Sequence, residues 1–466
     1  MRCLTALTFF SFIVSVFAVQ IAPTIPSKDD FYKPPKGFES QPNGSILKLR
    51  KTPFPLRSVI LKVDIEESWQ ILVRSEDSFG EPNAVVATIM KPYNADPSKM
   101  LSYQTAEDSS NPDCAPSYAF QYLASQKTIS TEVEMLLIQP ALQEGWYVVS
   151  PDYEGSKATF TAGRQSGYAT LNSIRGALKS SNITGVNSDA KVVMWGYSGG
   201  TIATGWGAAL QPEHAPELKG QLLGAAMGGM VTNITATAVG VEGTFFAGLT
   251  ATALGGLCNE YPDLTSFIGN ETTSEGPELL KTAQSVCLAD GVFEFMFRRY
   301  FTGPDKVFKK GWGIFDLPYV QSVINNNTLA LHKGDPMPEI PIFVFHGEID
   351  TIVPFKDAQR AYTNWCDWGI KSFEFAVDET AGHITEIWQG SPAGFAWVKK
   401  ILNGGKPVQG CTRTARKTNN LYPGAVNSLG DILMTAVTSL FGAQIGPNGE
   451  GLQNNPEAIK RLRMRA

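Results

Sequence analysis

KVVMWGYSGGTIATGWGAAL, residues 191–210, decides how this chain is read. An apolar, β-type run over 191–196 meets Ser198, which stands between Gly196 and Gly200, and a helix-like run of small residues follows. With 44 glycines in 466 residues, a G-x-S-x-G frame arises by accident about 0.3 times, so the frame alone decides little. Its context does more. Serine at a strand-to-helix turn is the arrangement that lifts a hydroxyl clear of a sheet, and glycines beside it let the backbone turn sharply.

Working outward, apolar strand-like runs alternate with helical ones. Strands are expected in 58–91, which reads as two or three antiparallel strands, and at 101–105, 145–151, 191–196, 221–229, 340–346 and 372–378. Helices are expected over 169–180, after Ser198 and over 385–402. The alternation predicts an α/β fold with a mostly parallel sheet and antiparallel strands at its N-terminal edge. One stretch breaks it. Residues 231–337 separate two successive sheet strands and open with the Gly-, Ala- and Thr-rich run TATAVGVEGTFFAGLTATALGGL, in which Glu242 is the one charge. An insertion of that size reads as a cap over the sheet, its small residues allowing close helix packing or a narrow tunnel. The expected organisation is a leader at 1–18, core at 19–230, cap at 231–337, core again at 338–425, and a flap or tail at 426–466 that folds back near the cap or trails.

A serine hydroxyl needs a base to take its proton, and the base needs an orienting acid. The chain has four histidines. In this kind of fold the order is Ser, then acid, then His, which sets aside His214, in what reads as an exposed helix end. His332 lies in the insertion, and His346 directly follows a strand, where a structural role is usual. His383, after the next strand in ETAGHIT and before a helix, is the expected base. Asp350, just past the strand end in HGEIDTIVP, is the expected acid, with Glu348 and Asp378 as rivals. A developing oxyanion needs donors: the N–H after the nucleophile belongs to Gly199, and a second donor should come from the loop AEDSSNPDCAPS. By itself Asp108 in that loop reads as a turn residue.

Composition sets the surroundings. Hydrophobic residues make up 43% and the net charge is -5, which suits a large apolar core and gives no basic block for nucleic acid. The first twenty residues carry Arg2, an apolar run and a small residue at position 18, the pattern of a secretory leader too short to span a bilayer. Sequons at Asn43, Asn182, Asn233, Asn270 and Asn326 agree with secretion. Past the leader's Cys3, five cysteines remain, an odd number that implies two disulfides and one free thiol. No Cys/His spacing suggests a metal site.

The stretches YQTAEDSSNPDCAPSYAF, WYVVSPDYEG, GYSGGTIATGWGAALQPEHAPELKG, HGEIDTIVPF and AGHITEIW together resemble the fungal secretory lipase family, the Candida-type extracellular lipases, over nearly the whole mature chain. The resemblance implies an α/β-hydrolase fold with a large, mainly helical cap insertion that carries an acyl tunnel. It implies a triad at Ser198, Asp350 and His383, and an oxyanion hole from the Asp108 side chain and the Gly199 N–H. It pairs Cys114 with Cys287 and Cys366 with Cys411, leaving Cys258 free. The expected activity is secreted triacylglycerol hydrolysis at an oil–water interface, with no metal or organic cofactor. The alternatives are an acyltransferase or short-chain carboxylesterase on the same scaffold, or a non-catalytic protein of this fold.

Overall fold

Strands buried on both faces need cover on both sides, and this requirement shapes the molecule. The computed structural model describes residues 22–440 and 442–447. The expected leader and the far end of the expected tail lie outside the described residues. The strands are β1 (Ile46–Lys51), β2 (Arg57–Ser58), β3 (Leu61–Lys62), β4 (Glu67–Glu76), β5 (Pro82–Lys91), β6 (Asp96–Gln104), β7 (Trp146–Pro151), β8 (Lys191–Tyr197), β9 (Leu222–Gly228), β10 (Ile342–Gly347), β11 (Ser372–Asp378) and β12 (Gly410–Arg416). All but β2 and β3, which pair with each other, join one sheet in the order β1-β4-β5-β7-β6-β8-β9-β10-β11-β12.

From β7 to β12 the neighbours run parallel, while β1, β4 and β5 add antiparallel pairs at one edge. The central strands β7 and β8 are buried nearly throughout. One face packs on the helices Gly163–Lys179, Gly200–His214 and Phe355–Trp368, around residues such as Trp206 and Trp365. The other packs on Met135–Gln143 and His383–Leu402, around Trp146, Trp195 and Trp397. This doubly covered, mostly parallel sheet is the α/β-hydrolase arrangement. The edge strand β12 has no counterpart in the sequence reading, because GCTRTAR is exposed along nearly its whole length and shows no apolar alternation.

Between β9 and β10 the chain forms six α-helices, from Ile234–Val241 to Pro318–Asn326. They enclose an apolar cluster of their own that includes Leu257, Ile268, Phe301 and Phe308. Its glycines permit close approach: a Cβ on Gly248 would overlap the Gly291 carbonyl, and one on Gly256 the Phe160 backbone. Glu242, the lone charge of the opening run, accepts the N–H groups of Tyr300, Phe301 and Thr302 at 3.1, 2.9 and 3.1 Å. The segment after 425, expected to fold back near the cap or to trail, is described over 425–440 and 442–447. Ala425–Leu440 packs on His383–Leu402 and Met135–Gln143, extending the core layer on that face.

Candidate active site

β8 ends at Tyr197, and the helix Gly200–His214 begins three residues later. Ser198 makes the turn with φ +50°, a left-handed value that costs a non-glycine residue energy. Gly196, Gly199 and Gly200 do not have positive φ. The sequence reading assigned them conformational freedom; the structure assigns them space. A Cβ on Gly200 would overlap the Gln104 carbonyl, one on Gly196 would meet Thr204 and the Gly200 carbonyl, and one on Gly199 would fall on the Asp108 carboxyl. The Ser198 N–H donates to the Gly228 carbonyl at 2.8 Å, and the Thr201 hydroxyl to the Ser198 carbonyl at 2.5 Å, so the strained turn is held from both sides.

His383 opens the helix His383–Leu402. Its Nε2 lies 2.7 Å from Ser198 Oγ and its Nδ1 2.6 Å from Asp350 Oδ2. The other Asp350 oxygen accepts the N–H groups of Ile352 and Val353 at 2.9 and 2.8 Å. Burial raises the Asp350 pKa, but the hydrogen bond and charge of His383, then His346 and the Val353 N–H, outweigh it and hold the carboxyl below its ordinary value. A carboxylate so held keeps Nδ1 as the protonated nitrogen of His383 and leaves Nε2 to accept from serine. Tyr197 fixes the ring's backbone by donating to the His383 carbonyl at 2.6 Å.

The rivals take other places. Glu348 is exposed. Asp378 is buried and accepts the N–H groups of Thr380, Ala381 and Asn419, so it shapes the loop that delivers His383. His346 is fully buried: Nδ1 accepts the Met230 N–H at 3.1 Å, so Nε2 donates to the Val353 carbonyl at 3.0 Å. His332 is exposed in the insertion. His214 is a correction. Its side chain is 9% exposed rather than open to solvent, packs at a tilt against the Tyr168 ring and contacts Asn172. Burial, with Arg175 nearby, pushes its pKa down to about 4.

Asp108 also adopts a left-handed φ, +49°, and its carboxyl is buried with Oδ1 lacking any partner. Burial raises its pKa to about 7 against the opposing charge of His383. A carboxyl in that state carries a proton to donate near neutrality. Two residues earlier, the Ala106 N–H donates to Glu134 Oε1 at 2.7 Å, and the Tyr103 hydroxyl to Glu134 Oε2 at 2.8 Å. Glu134 was not singled out in the sequence. It lies at the turn between the helices Ile129–Val133 and Met135–Gln143, and no local pattern marks its approach to the loop. The other side of the loop is tied to the insertion: Ser109 and Ser110 donate to the Val286 and Ala283 carbonyls at 2.8 and 3.0 Å, and Cys114 is disulfide-bonded to Cys287. Cys366 pairs with Cys411, joining a covering helix to edge strand β12, and Cys258 is free and buried.

Two apolar cavities meet at Ser198. One is lined by Leu254, Ile268, Phe308 and Ile324 of the insertion together with Ile202, Asp108 and Gly199. The other lies on the His383 side. Among the described residues, no His, Cys, Asp and Glu cluster is arranged to hold a metal ion.

A family model described as "Secretory lipase" matches residues 120–410. Lipase 1 of Candida albicans is 50% identical over 439 residues, covering 94% of each chain. The X-ray structure of Candida antarctica lipase A is similar at a TM-score of 0.79 and 30% identity, covering 92% of this chain and 99% of that one. The rice cell wall degrading esterase LipA from Xanthomonas oryzae shares the fold, with a TM-score of 0.59 and 16% identity over 78% of this chain and 100% of its own.

Proposed function

The chain belongs to the secretory lipase family, and from that premise we propose that this ester hydrolase is a secreted triacylglycerol lipase working through a Ser198 acyl-enzyme. The observation that carries the reading is the hydrogen-bonded line Asp350–His383–Ser198 opening onto apolar cavities.

Ser198 Oγ attacks the ester carbonyl as His383 Nε2 takes its proton. Asp350 orients the imidazole and stabilises its charge. The oxyanion is held by the Gly199 N–H and the protonated Asp108 carboxyl. The carbon–alkoxy bond breaks, and the alkoxy oxygen leaves as an alcohol with the proton from His383. Water, deprotonated by the same histidine, then releases the fatty acid and restores the serine. The insertion acts as the cap, its cavity taking the acyl chain.

Two disulfides support an oxidising compartment. Asn182, Asn270 and Asn326 are exposed and suited to glycans. Asn43 and Asn233 suit them less. They are half-buried, and their amides donate to Glu76 and Asp357 at 2.9 and 3.0 Å. An oil surface has a place to dock: Phe293, Met296 and Phe297 stand exposed on the insertion, with Phe245 packed edge-on to Phe293 and Phe297. Among the described residues, no helix is long and apolar enough to cross a membrane.

The test is fatty-acid release from an emulsified long-chain triacylglycerol by the secreted protein and by Ser198→Ala. Release by the parent alone is expected. Equal release by both would remove Ser198 as nucleophile, and release by neither would remove the triacylglycerol assignment.

A further inference from the structure

We propose that the second cavity, on the His383 side of Ser198, is the subsite for the alcohol half of the ester, and that it is built for an aliphatic alcohol. The inference rests on Ser198 being the nucleophile. The second cavity is not a remnant of the first: the two share Ser198, Asp108, Leu249 and Ile352, and the rest of their walls differ.

Their walls differ where the chemistry differs. Gly199 lines only the first, and His383 only the second. The tetrahedral carbon carries the serine oxygen, the oxyanion, the acyl chain and the alkoxy oxygen. As its bond to carbon breaks, the alkoxy oxygen must take its proton from His383 Nε2, so the alkoxy arm has to lie on the His383 side. The oxyanion faces Gly199 and Asp108. The acyl arm is left the cavity beneath the insertion.

The lining then states which alcohol fits. Leu136, Leu137, Leu288, Val292, Ile387 and Trp388 are apolar. The carboxyl of Glu134, which also lines it, is already engaged by the Ala106 N–H and the Tyr103 hydroxyl. A polyol would find few partners there, while an alkyl chain would bury its methylenes. In a triacylglycerol, the chains remaining on the departing diacylglycerol occupy this space. Trp388 and Ile384 are each 48% exposed, so the cavity opens to the surface at that end.

The experiment uses two ester series kept in monomeric solution: butyrates of methanol through octanol, and methyl esters of butyric through decanoic acid. The unaltered protein and two variants that fill the second cavity, Leu136→Trp and Val292→Trp, are compared. For the unaltered protein kcat/KM should rise about two- to fourfold per methylene of alcohol until the cavity is full, the factor that burying a methylene supplies. In each variant the octyl-to-methyl ratio should fall by at least about tenfold, while the decanoate-to-butyrate ratio moves by less than about twofold. Each figure is a ratio within one preparation, so partial loss of folded protein cancels. A flat response to alcohol length, or a shift in the acyl ratio instead, overturns the assignment. Turnover of neither series by the unaltered protein removes the Ser198 reading, and this subsite with it.

Discussion

Asp108 is the residue on which the chemistry is most exposed to test. Its carboxyl donates only while protonated, and burial brings its pKa to about 7. As pH rises through that value the proton is lost, the donor becomes a repelling charge, and kcat should fall. Below about pH 7, Asp108→Ala should lose about 10²–10³ in kcat, the usual cost of one oxyanion donor, and the gap to the parent should narrow above that pH as the parent's own donor ionises. Asp108→Asn keeps an N–H to donate, so it should retain more activity than the alanine variant and lose the alkaline fall near pH 7. A pH series on a soluble ester reads both. An asparagine variant that still declines with the parent's alkaline midpoint would assign that decline to another group. This residue also marks a limit of the sequence reading. On its own Asp108 reads as a turn residue, and only the family resemblance pointed to the oxyanion. What separates the two readings is a carboxyl buried beside Gly199, a contact between residues 91 positions apart.

At the scale of elements, the loop carrying Asp108 is clamped between the core and the insertion. Glu134 holds it from the core, while Ser109, Ser110 and the Cys114–Cys287 bond hold it to the insertion. Replacing Cys114 and Cys287 with serine should therefore cost about 2–4 kcal/mol of stability, as a bridge across a long loop does, and should also lower kcat on a soluble ester. The Cys366→Ser/Cys411→Ser pair joins a helix to an edge strand far along the sheet from the loop, and should cost stability with kcat retained. Denaturant midpoints and single-ester kinetics separate the two. Equal kcat loss in both would remove the special link between insertion and oxyanion loop. The exposed aromatic cluster of the insertion makes a second prediction. Phe293→Ser with Phe297→Ser should weaken adsorption to an oil emulsion by at least about tenfold, since each buried phenyl ring is worth a few kcal/mol. Turnover of a soluble ester should stay within about twofold. Unchanged adsorption would move the oil contact elsewhere.

Across the whole molecule, buried carboxyls set the pH dependence of stability. Burial raises Asp108, Glu132 and Asp152 to about 7 and Glu134 to about 8, and pushes Glu107, Glu154 and Glu386 well above their ordinary range. Unfolded, these groups titrate near about 4. Between those values the native state binds more protons than the unfolded chain, so stability should fall as pH rises from about 4 to about 8. His214 works the other way. Buried and neutral with a pKa of about 4, it adds stability as pH rises from there toward its unfolded value. Burial lowers His346 in the same sense, and seven carboxyls against two imidazoles leave the net sign with the carboxyls, so thermal unfolding should occur at higher temperature at pH 5 than at pH 8. A higher midpoint at pH 8 would show that these carboxyls are ionised in the folded protein.

The division between sequence and structure follows from the range of the interactions. Alternating apolar runs, the strand-to-helix turn at Ser198 and the positions of Asp350 and His383 after successive strands are local patterns; they determined the fold class and pointed to three residues whose side chains the structure brings within hydrogen-bond distance. The insertion was legible for the same reason, as a break in a regular alternation. What tertiary structure decided is what depends on approach between distant segments. The glycines around Ser198 answer to the Gln104 carbonyl and the Asp108 carboxyl rather than to their own dihedrals. His214, polar and near a helix end, is buried against Tyr168. The helix Ala425–Leu440 packs on the helices that cover the sheet, because its small buried face meets two helices more than 20 and more than 280 residues away. Glu134 reaches the loop that carries Asp108 only once the sheet has brought both to the same end. Periodicity reports which face of an element is apolar; it does not carry the identity of the surface that will meet it.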